Sequence, residues 1–346
     1  MELAEISHRR FNPLSGRWVL VSPERGRRPS SGEVAPPQPP AKAYDPGCFL
    51  CAGNTRASGI KNPDYKSVYA FDNDFPALRA DLPVATGATR GLFQWRPERG
   101  ICRVICLSPR HDLNFSRLKL PQVRAVVDVW VSEYRTIGAL PWIGHVQLFQ
   151  NYGAIAGASS AHPHCQMWAE TAVPNEPALE QHRLNEHLSQ HGSCLLCDYL
   201  KEELARAERV ICENASFAVV MPWWAVWPFE TLLLARRHFG SLDELTEAER
   251  NDLAEIVKRI TTRYDNLFKM PFPYSMGFHQ SPTDGRAHPE WHFHGHFFPQ
   301  LIKPESPKFM VSYEMLAGPQ RDDVPEHAAQ RLQAASEKHY LEGSET

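Results

Sequence analysis

The stretch Ser159-Ser160-Ala161-His162-Pro163-His164-Cys165-Gln166-Met167-Trp168 (SSAHPHCQMW) sets two imidazoles on either side of one proline and follows them with an amide. Pro163 holds its own φ at about −65° and disfavours a helical His162, so the two rings are expected to diverge. One can then face a metal while the other faces a substrate. Taken alone, such a pair could equally be two surface histidines on a loop; the rest of the chain decides.

Working outward, four of the eight cysteines stand as Cys48-Phe49-Leu50-Cys51 and Cys194-Leu195-Leu196-Cys197. A redox pair of this spacing opens a helix after a strand, whereas the first pair lies among the turn formers Asp45-Pro46-Gly47 and Gly53-Asn54, where a zinc knuckle fits better. Each pair begins the same order of features. After Cys51 come an apolar strand, Arg103 to Leu107, the basic run Ser108 to His111, and a helix starting beside Pro121 with Val123, Val126, Val127, Trp130, Val131 and Tyr134 on one face. A strand from His145 to Phe149 then leads to the H-P-H pair. After Cys197 come Thr231 to Ala235, Arg236-Arg237-His238, and a helix opened by the capping box Thr246 to Glu249, with Leu253, Ile256, Val257, Ile260, Tyr264 and Leu267 on one face. This half closes on His292-Phe293-His294-Gly295-His296. Matched Cys and His positions in both halves point to a duplication. Alternating strands and helices alone would not produce them.

A Cys pair and two histidines complete a tetrahedral zinc site. In the first half that set is Cys48, Cys51, His111 and His162, which puts the metal directly behind His164. A neutral imidazole is a competent nucleophile toward phosphorus near neutral pH. Ser159 and Gln166 flank His164 as uncharged donors suited to non-bridging phosphoryl oxygens. The zinc is then structural.

The chain has 346 residues, 42% of them hydrophobic, and a net charge of −3, the profile of a folded protein without the positive field that recruits nucleic acid or anionic lipid. Any phosphate must be met by local arginines. No run approaches the roughly 18 apolar residues of a membrane span, and MELAEISHRRFNP lacks a signal-peptide core, so a cytoplasmic location is expected. Residues 29–47 are proline-rich and read as an extended surface crossing, and the last twenty or so residues as a loosely docked helix.

The motifs RRFNPLSGRWVLVSPERGRRP, CFLCAGNTRASGIKNPDY, FDNDFPAL, HPHCQMW, WPFETLLL, YDNLF, FPYSMGFH and KFMVSYEMLAGPQRD resemble, over nearly the whole chain, those of the galactose-1-phosphate uridylyltransferase family, the transferase branch of the histidine triad superfamily. Gln166, where hydrolases of that superfamily carry another His, is the family's mark of transfer. The resemblance implies an α+β fold of tandem histidine-triad-like repeats, a mostly antiparallel half-barrel sheet with flanking helices, divided into residues 1–180 and 181–346. It also implies transfer of uridylyl from UDP-glucose to galactose 1-phosphate through a uridylyl-His164 intermediate. By the same resemblance Asn151, Gly157 and Ala158 line the nucleotide site, Asn73 and Asp74 reach the ribose, and Tyr313, Glu314 and Gln320 bind hexose hydroxyls. Arg25, Arg27, Arg28, Lys308 and Phe309 would come from a neighbouring subunit of a homodimer. Two departures, Gln150 with Tyr152 and Ser160 with Ala161, remove no proposed chemical group.

The second half offers two metal-ligand sets. Duplication points to Cys194, Cys197, His238 and His294, the last in the place of His162. The resemblance implies a structural zinc or iron on Glu180, His279, His294 and His296. One His294 does not easily serve both, and thiolates bind zinc more strongly than a carboxylate does, so the thiolate set is expected and the other is the alternative. Two rival functions use the same residues: a nucleoside diphosphate sugar phosphorylase or hydrolase of the superfamily, and a non-catalytic zinc-stabilised binding module. Gln166 and the Tyr313 to Gln320 segment argue against the first; a buried His164 or a nucleic-acid face would favour the second, and the near-neutral charge and the absence of interleaved basic and aromatic residues argue against it.

Overall fold

The computed structural model describes residues 3–27, 42–82, 87–304 and 306–342. Its centre is one nine-stranded sheet whose strands, in chain order, are β1 (Tyr69–Asp72), β2 (Gly100–Cys106), β3 (His145–Tyr152), β4 (His164–Glu170), β5 (Val210–Glu213), β6 (Phe217–Val220), β7 (Thr231–Ala235), β8 (Tyr274–His279) and β9 (His294–Pro299). They lie side by side in the order β1-β2-β4-β3-β8-β9-β7-β6-β5. Every neighbouring pair is antiparallel, and the end strands β1 and β5 do not pair with each other among the described residues, so the sheet is open and the fold is α+β.

The order of the second half is that of the first reversed about the β3–β8 junction, where Tyr274 faces Tyr152 and Phe278 faces Leu148. The duplication read from the Cys and His positions is therefore present as two four-stranded units fused edge to edge, with β5 added outside the second.

Helix α1 (Leu120–Gly138) has proline in its first turn, and α4 (Glu247–Phe268) has Thr246 as N-cap, its hydroxyl accepting from the Glu249 amide. Their apolar faces, with Trp130, Val131, Ile256 and Ile260 fully buried, cover one side of the sheet in a single core that spans both halves. Removing each such side chain from water stabilises the fold by about 1.5–3 kcal/mol. Strand alternation then sorts the site: Cys165, Met167 and Ala169 of β4 enter this core, and His164, Gln166 and Trp168 point to the opposite face.

That opposite face carries two structures. One is the segment around Cys48 and Cys51, packed with Tyr65 and Phe71 against Val104 and Cys106 of β2. The other is the helical hairpin of α2 (Asn175–His191) and α3 (Leu195–Arg206), whose Leu184, Leu195, Leu196 and Leu200 meet Val220, Leu232 and Leu234. The 180/181 boundary thus falls inside α2. The C-terminal segment forms a helix, Pro325–Ala334, that is docked firmly: Ala329 and Leu332 are fully buried, and Arg263 donates to the Leu332 and Gln333 carbonyls of its last turn and to that of its C-cap, Ala335. The first twelve or so of the proline-rich residues lie outside the described residues. No helix among the described residues is long and apolar enough to cross a membrane.

Candidate active site and metal centres

His162 and His164 do diverge, because His162 lies before β4 begins and escapes the pleat that would set residues two apart on one face. His162 turns to the cysteines: Cys51 Sγ is 3.5 Å from its Nδ1 and 3.6 Å from Nδ1 of His111. Two tetrahedral ligands at about 2.3 Å (S) and 2.0–2.1 Å (N) from zinc are separated by about 3.6 Å, so the set fits the ion. The His162 Nε2 proton goes to the Ser108 carbonyl at 2.9 Å, which leaves Nδ1 as the lone pair facing the thiols. Burial pushes the Cys51 thiol up to about 11 and the His162 imidazole down to about 4. The imidazole is therefore in its ligating form, and a thiolate at this depth requires a compensating cation.

His164 Nδ1 donates to the His162 carbonyl at 2.8 Å. Its Nε2 is left as the acceptor, in a cavity of about 310 Å³ shared with Ser159, Gln166, Asn73 and Asp74. Burial holds the ring below its ordinary value, favouring the neutral form. Trp168 Nε1 donates to Gln166 Oε1 at 3.1 Å, so the free end of that amide is its nitrogen, the end that can donate into the cavity.

Sequence reasoning passed over Arg56. Its buried guanidinium lies 4.1 Å above the Phe71 ring and 3.6 Å from Asp74, lining with Phe49 and Leu50 the same cavity as His164. An arginine inside a motif otherwise read for its cysteines was the available signal. Asn151 and Ala158 line a different cavity, of about 490 Å³, behind the active loop, together with Arg117 and Tyr340. Gly157 sits on that loop at φ +82°, a conformation that needs glycine.

The remaining expected contacts gather elsewhere. Lys308 Nζ donates to the Gln320 carbonyl at 2.7 Å and lies 3.3 Å from Glu314, while Arg25 and Gln320 both donate to Asp322 at 2.9 and 2.7 Å. Asp322, quoted in the sequence only as the last residue of a motif and given no role there, is the hub of this cluster. Phe309 and Tyr313 are exposed beside it. Arg27 ends a short 3-10 turn, Pro23–Arg27, and Arg28 lies outside the described residues. Among the described residues, none of this cluster lines the His164 cavity.

The second half departs from expectation in one respect. His292, and not His294, stands beside the thiols: its Nδ1 is 3.5 Å from Cys194 Sγ and 3.3 Å from Cys197 Sγ, with His238 Nδ1 3.7 Å from Cys197 Sγ. His294 instead joins Glu180, His279 and His296, its Nε2 3.4 Å from the carboxylate. The repeat is His292-Phe293-His294 on His162-Pro163-His164, so the two ligand sets do not compete.

Ladder register carries the equivalence further. Phe149 faces Gln166 in the first half and Gly277 faces His296 in the second. His279, His294 and His296 therefore occupy the places of Asn151, His164 and Gln166. Where the first half presents two amides and a free imidazole, the second presents three imidazoles closed over by Glu180. Nε2 of His294 and of His296 are buried without a hydrogen-bond partner, which suits a cation.

The first half thus combines a Cys and His cluster of zinc-binding geometry with a free imidazole and uncharged donors in one cavity, on a duplicated antiparallel sheet. A solved structure titled "Structure of uridylyltransferase" superposes with a TM-score of 0.76 at 26% identity, covering 95% of this chain and 98% of that one. An ADP-glucose phosphorylase from Arabidopsis thaliana with bound ADP-glucose shares the fold at a TM-score of 0.77 and 23% identity, over 96% of this chain and all of that one (100%). Residues 1–174 match galactose-1-phosphate uridyl transferase, N-terminal domain, and residues 180–344 the C-terminal domain. Galactose-1-phosphate uridylyltransferases of Haemophilus influenzae and Rattus norvegicus are 46% and 45% identical, over 99% and 97% of this chain and 98% and 90% of theirs. The chain belongs to the galactose-1-phosphate uridyl transferase family.

Proposed function

We propose that this enzyme transfers uridylyl between UDP-glucose and galactose 1-phosphate with His164 as the covalent carrier. The transfer itself follows from family membership; the assignment to His164 rests on one observation, the Nδ1–H of His164 held by the His162 carbonyl so that Nε2 faces the cavity. Nε2 attacks the α-phosphorus of UDP-glucose, a P–N bond forms, and the P–O bond to glucose 1-phosphate breaks. Glucose 1-phosphate departs as a phosphate, a good leaving group that needs little protonation. Galactose 1-phosphate then attacks the same phosphorus, the P–N bond breaks, and the neutral imidazole returns with UDP-galactose. Ser159 and the Gln166 amide nitrogen donate to the non-bridging oxygens, and Asn73 and Asp74 take the ribose. Cys48, Cys51, His111 and His162 would hold zinc, which supplies no reacting group but fixes the loop. Glu180, His279, His294 and His296 would hold a structural zinc or iron. Residues 1–180 carry the chemistry, residues 181–346 the hexose segment and, together with Glu180 at the boundary, the structural metal, and the location is cytoplasmic.

The test is incubation with UDP-glucose labelled on the α-phosphate. Acid-labile label on protein, discharged by galactose 1-phosphate into UDP-galactose, is the expected result. Discharge by inorganic phosphate or water alone would instead make this a phosphorylase or hydrolase.

Gln166→Ala should slow both half-reactions by roughly one to three orders of magnitude, the scale of one lost transition-state donor. Pre-steady-state labelling separates them. Unchanged rates would leave Gln166 a packing residue.

The cluster of Arg25, Lys308, Glu314 and Gln320, with exposed Phe309, Val311, Tyr313, Met315 and Leu316 beside it, supports a homodimer in which this segment completes the partner's site. Re-associating an inactive His164→Gly chain with an inactive chain lacking Arg28 and Lys308 should restore about a quarter of normal activity, since half the dimers are mixed and one of their two sites is intact. No recovery in verified mixed dimers would mean that each chain builds its own site.

A further inference from the structure

The two ligand sets of the second half share no residue, yet they are joined twice. Through the sheet, His294 Nδ1 donates to the His292 carbonyl at 2.7 Å, so one histidine from each set is fixed by the other. Through the helices, Glu180 lies on α2, and α2 ends at Gly192 (φ +69°), two residues before Cys194, which caps α3 by accepting from the Cys197 amide. Of the seventeen residues of α2, only Pro177, Glu180 and Leu184 are buried, and Leu184 alone joins the apolar cluster on this face. Apolar packing therefore holds α2 weakly.

Each imidazole of the thiolate set is already oriented. His292 Nε2 donates to the Ala235 carbonyl at 2.8 Å and His238 Nε2 to the Pro289 carbonyl at 3.1 Å, leaving both Nδ1 atoms toward the sulfurs. The sulfur–nitrogen separations of 3.3 to 3.7 Å span those of the first-half set, 3.5 and 3.6 Å. They suit a tetrahedral ion of zinc type.

We propose that the second half binds two metals at once: a zinc on Cys194, Cys197, His238 and His292, in addition to the metal on Glu180, His279, His294 and His296, giving three per chain. The thiolate zinc ties the start of α3 to the sheet and so holds the α2–α3 hairpin down. Glu180 is thereby presented to its three histidines. It acts as a positioning metal for the second site, and neither touches substrate.

The test uses the full-length protein and reads metal content, thiol reactivity and metal release, none of which depends on activity. Wild type should carry three equivalents. Cys194 and Cys197 are half-buried while the other six cysteines are buried, so a thiol reagent should gain these two first once a chelator is added. The Cys194→Ser, Cys197→Ser protein should lose one equivalent and release the Glu180 metal to chelator about 10- to 100-fold faster, the scale of losing an outer support of a metal ligand. Glu180→Gln, which leaves the thiolate set intact, should lose a different equivalent and keep both thiols protected. This second variant decides the matter if the serine protein does not fold. Two serines with the wild-type metal count would remove the site. So would a Glu180→Gln protein with both thiols reactive, because the two sets would then share one ion. Loss of one equivalent with unchanged release from the Glu180 set would remove the clamp.

Discussion

Replacing His164 with glycine is expected to abolish uridylyl transfer, by roughly four to six orders of magnitude, the scale seen when a covalent nucleophile is removed. The fold should survive. His164 is the first residue of β4 and points away from the main core, and its side chain's one hydrogen bond among the described residues is to the His162 carbonyl. Its loss therefore opens the end of a cavity already about 310 Å³ in volume and breaks no network. UDP-glucose binding, which the proposed function assigns to Asn73 and Asp74 in the same cavity, with Arg56 beside them, should stay close to normal. Free imidazole added with UDP-glucose should partly restore the first half-reaction by filling the hole. Equilibrium binding beside single-turnover rates separates these effects. Near-normal turnover would sink the assignment of His164, and loss of binding in proportion to rate would make it a binding residue.

The second large effect concerns the first-half metal. Cys51→Ser should lose one equivalent of zinc relative to wild type and at least about 100-fold in activity, although Cys51 touches no substrate. Cys51 is fully buried, and its sulfur faces both His111 and His162. Without a thiolate there, the ion loses a ligand for which the buried serine hydroxyl is a poor substitute. Two structures then loosen together: the segment around residues 48 to 56, which carries Phe49, Leu50 and Arg56 of the cavity wall, and the His162 carbonyl that orients His164. Hydrogen exchange should rise in both and stay unchanged along α4. Full zinc content with normal activity would refute the structural role of this site. Zinc loss with normal activity would separate the metal from catalysis.

Much of this architecture was legible in the chain. The apolar faces of α1 and α4 follow from spacing, and Thr246 with Glu249 marks the start of α4 because a capping box is local chemistry within four residues. The first metal set was legible for a similar reason: one Cys pair, one histidine after a strand and one before a strand leave little choice of partners. Arg56 and Asp322 were not. Each gains its role from residues that the fold brings near: Phe71 and Asp74 for Arg56, and for Asp322 Arg25, almost three hundred positions away in the chain.

The sequence by itself determined that the protein is a duplicated α+β chain of this family, and which residue types can hold metal or carry a uridylyl group. Only the tertiary structure decided which histidine serves which site in the second half. His292, His294 and His296 are spaced by two, so any of them could be aligned with His162, and spacing cannot say where the strand begins. Pairing of Leu234 with His294 settles it: His294 and His296 lie within the β9 ladder, their rings on the face that α2 covers with Glu180, while His292 falls just outside, against the Ala235 carbonyl and the thiols. That choice is made by backbone hydrogen bonds between strands about sixty residues apart, a register that the sequence within either strand does not encode.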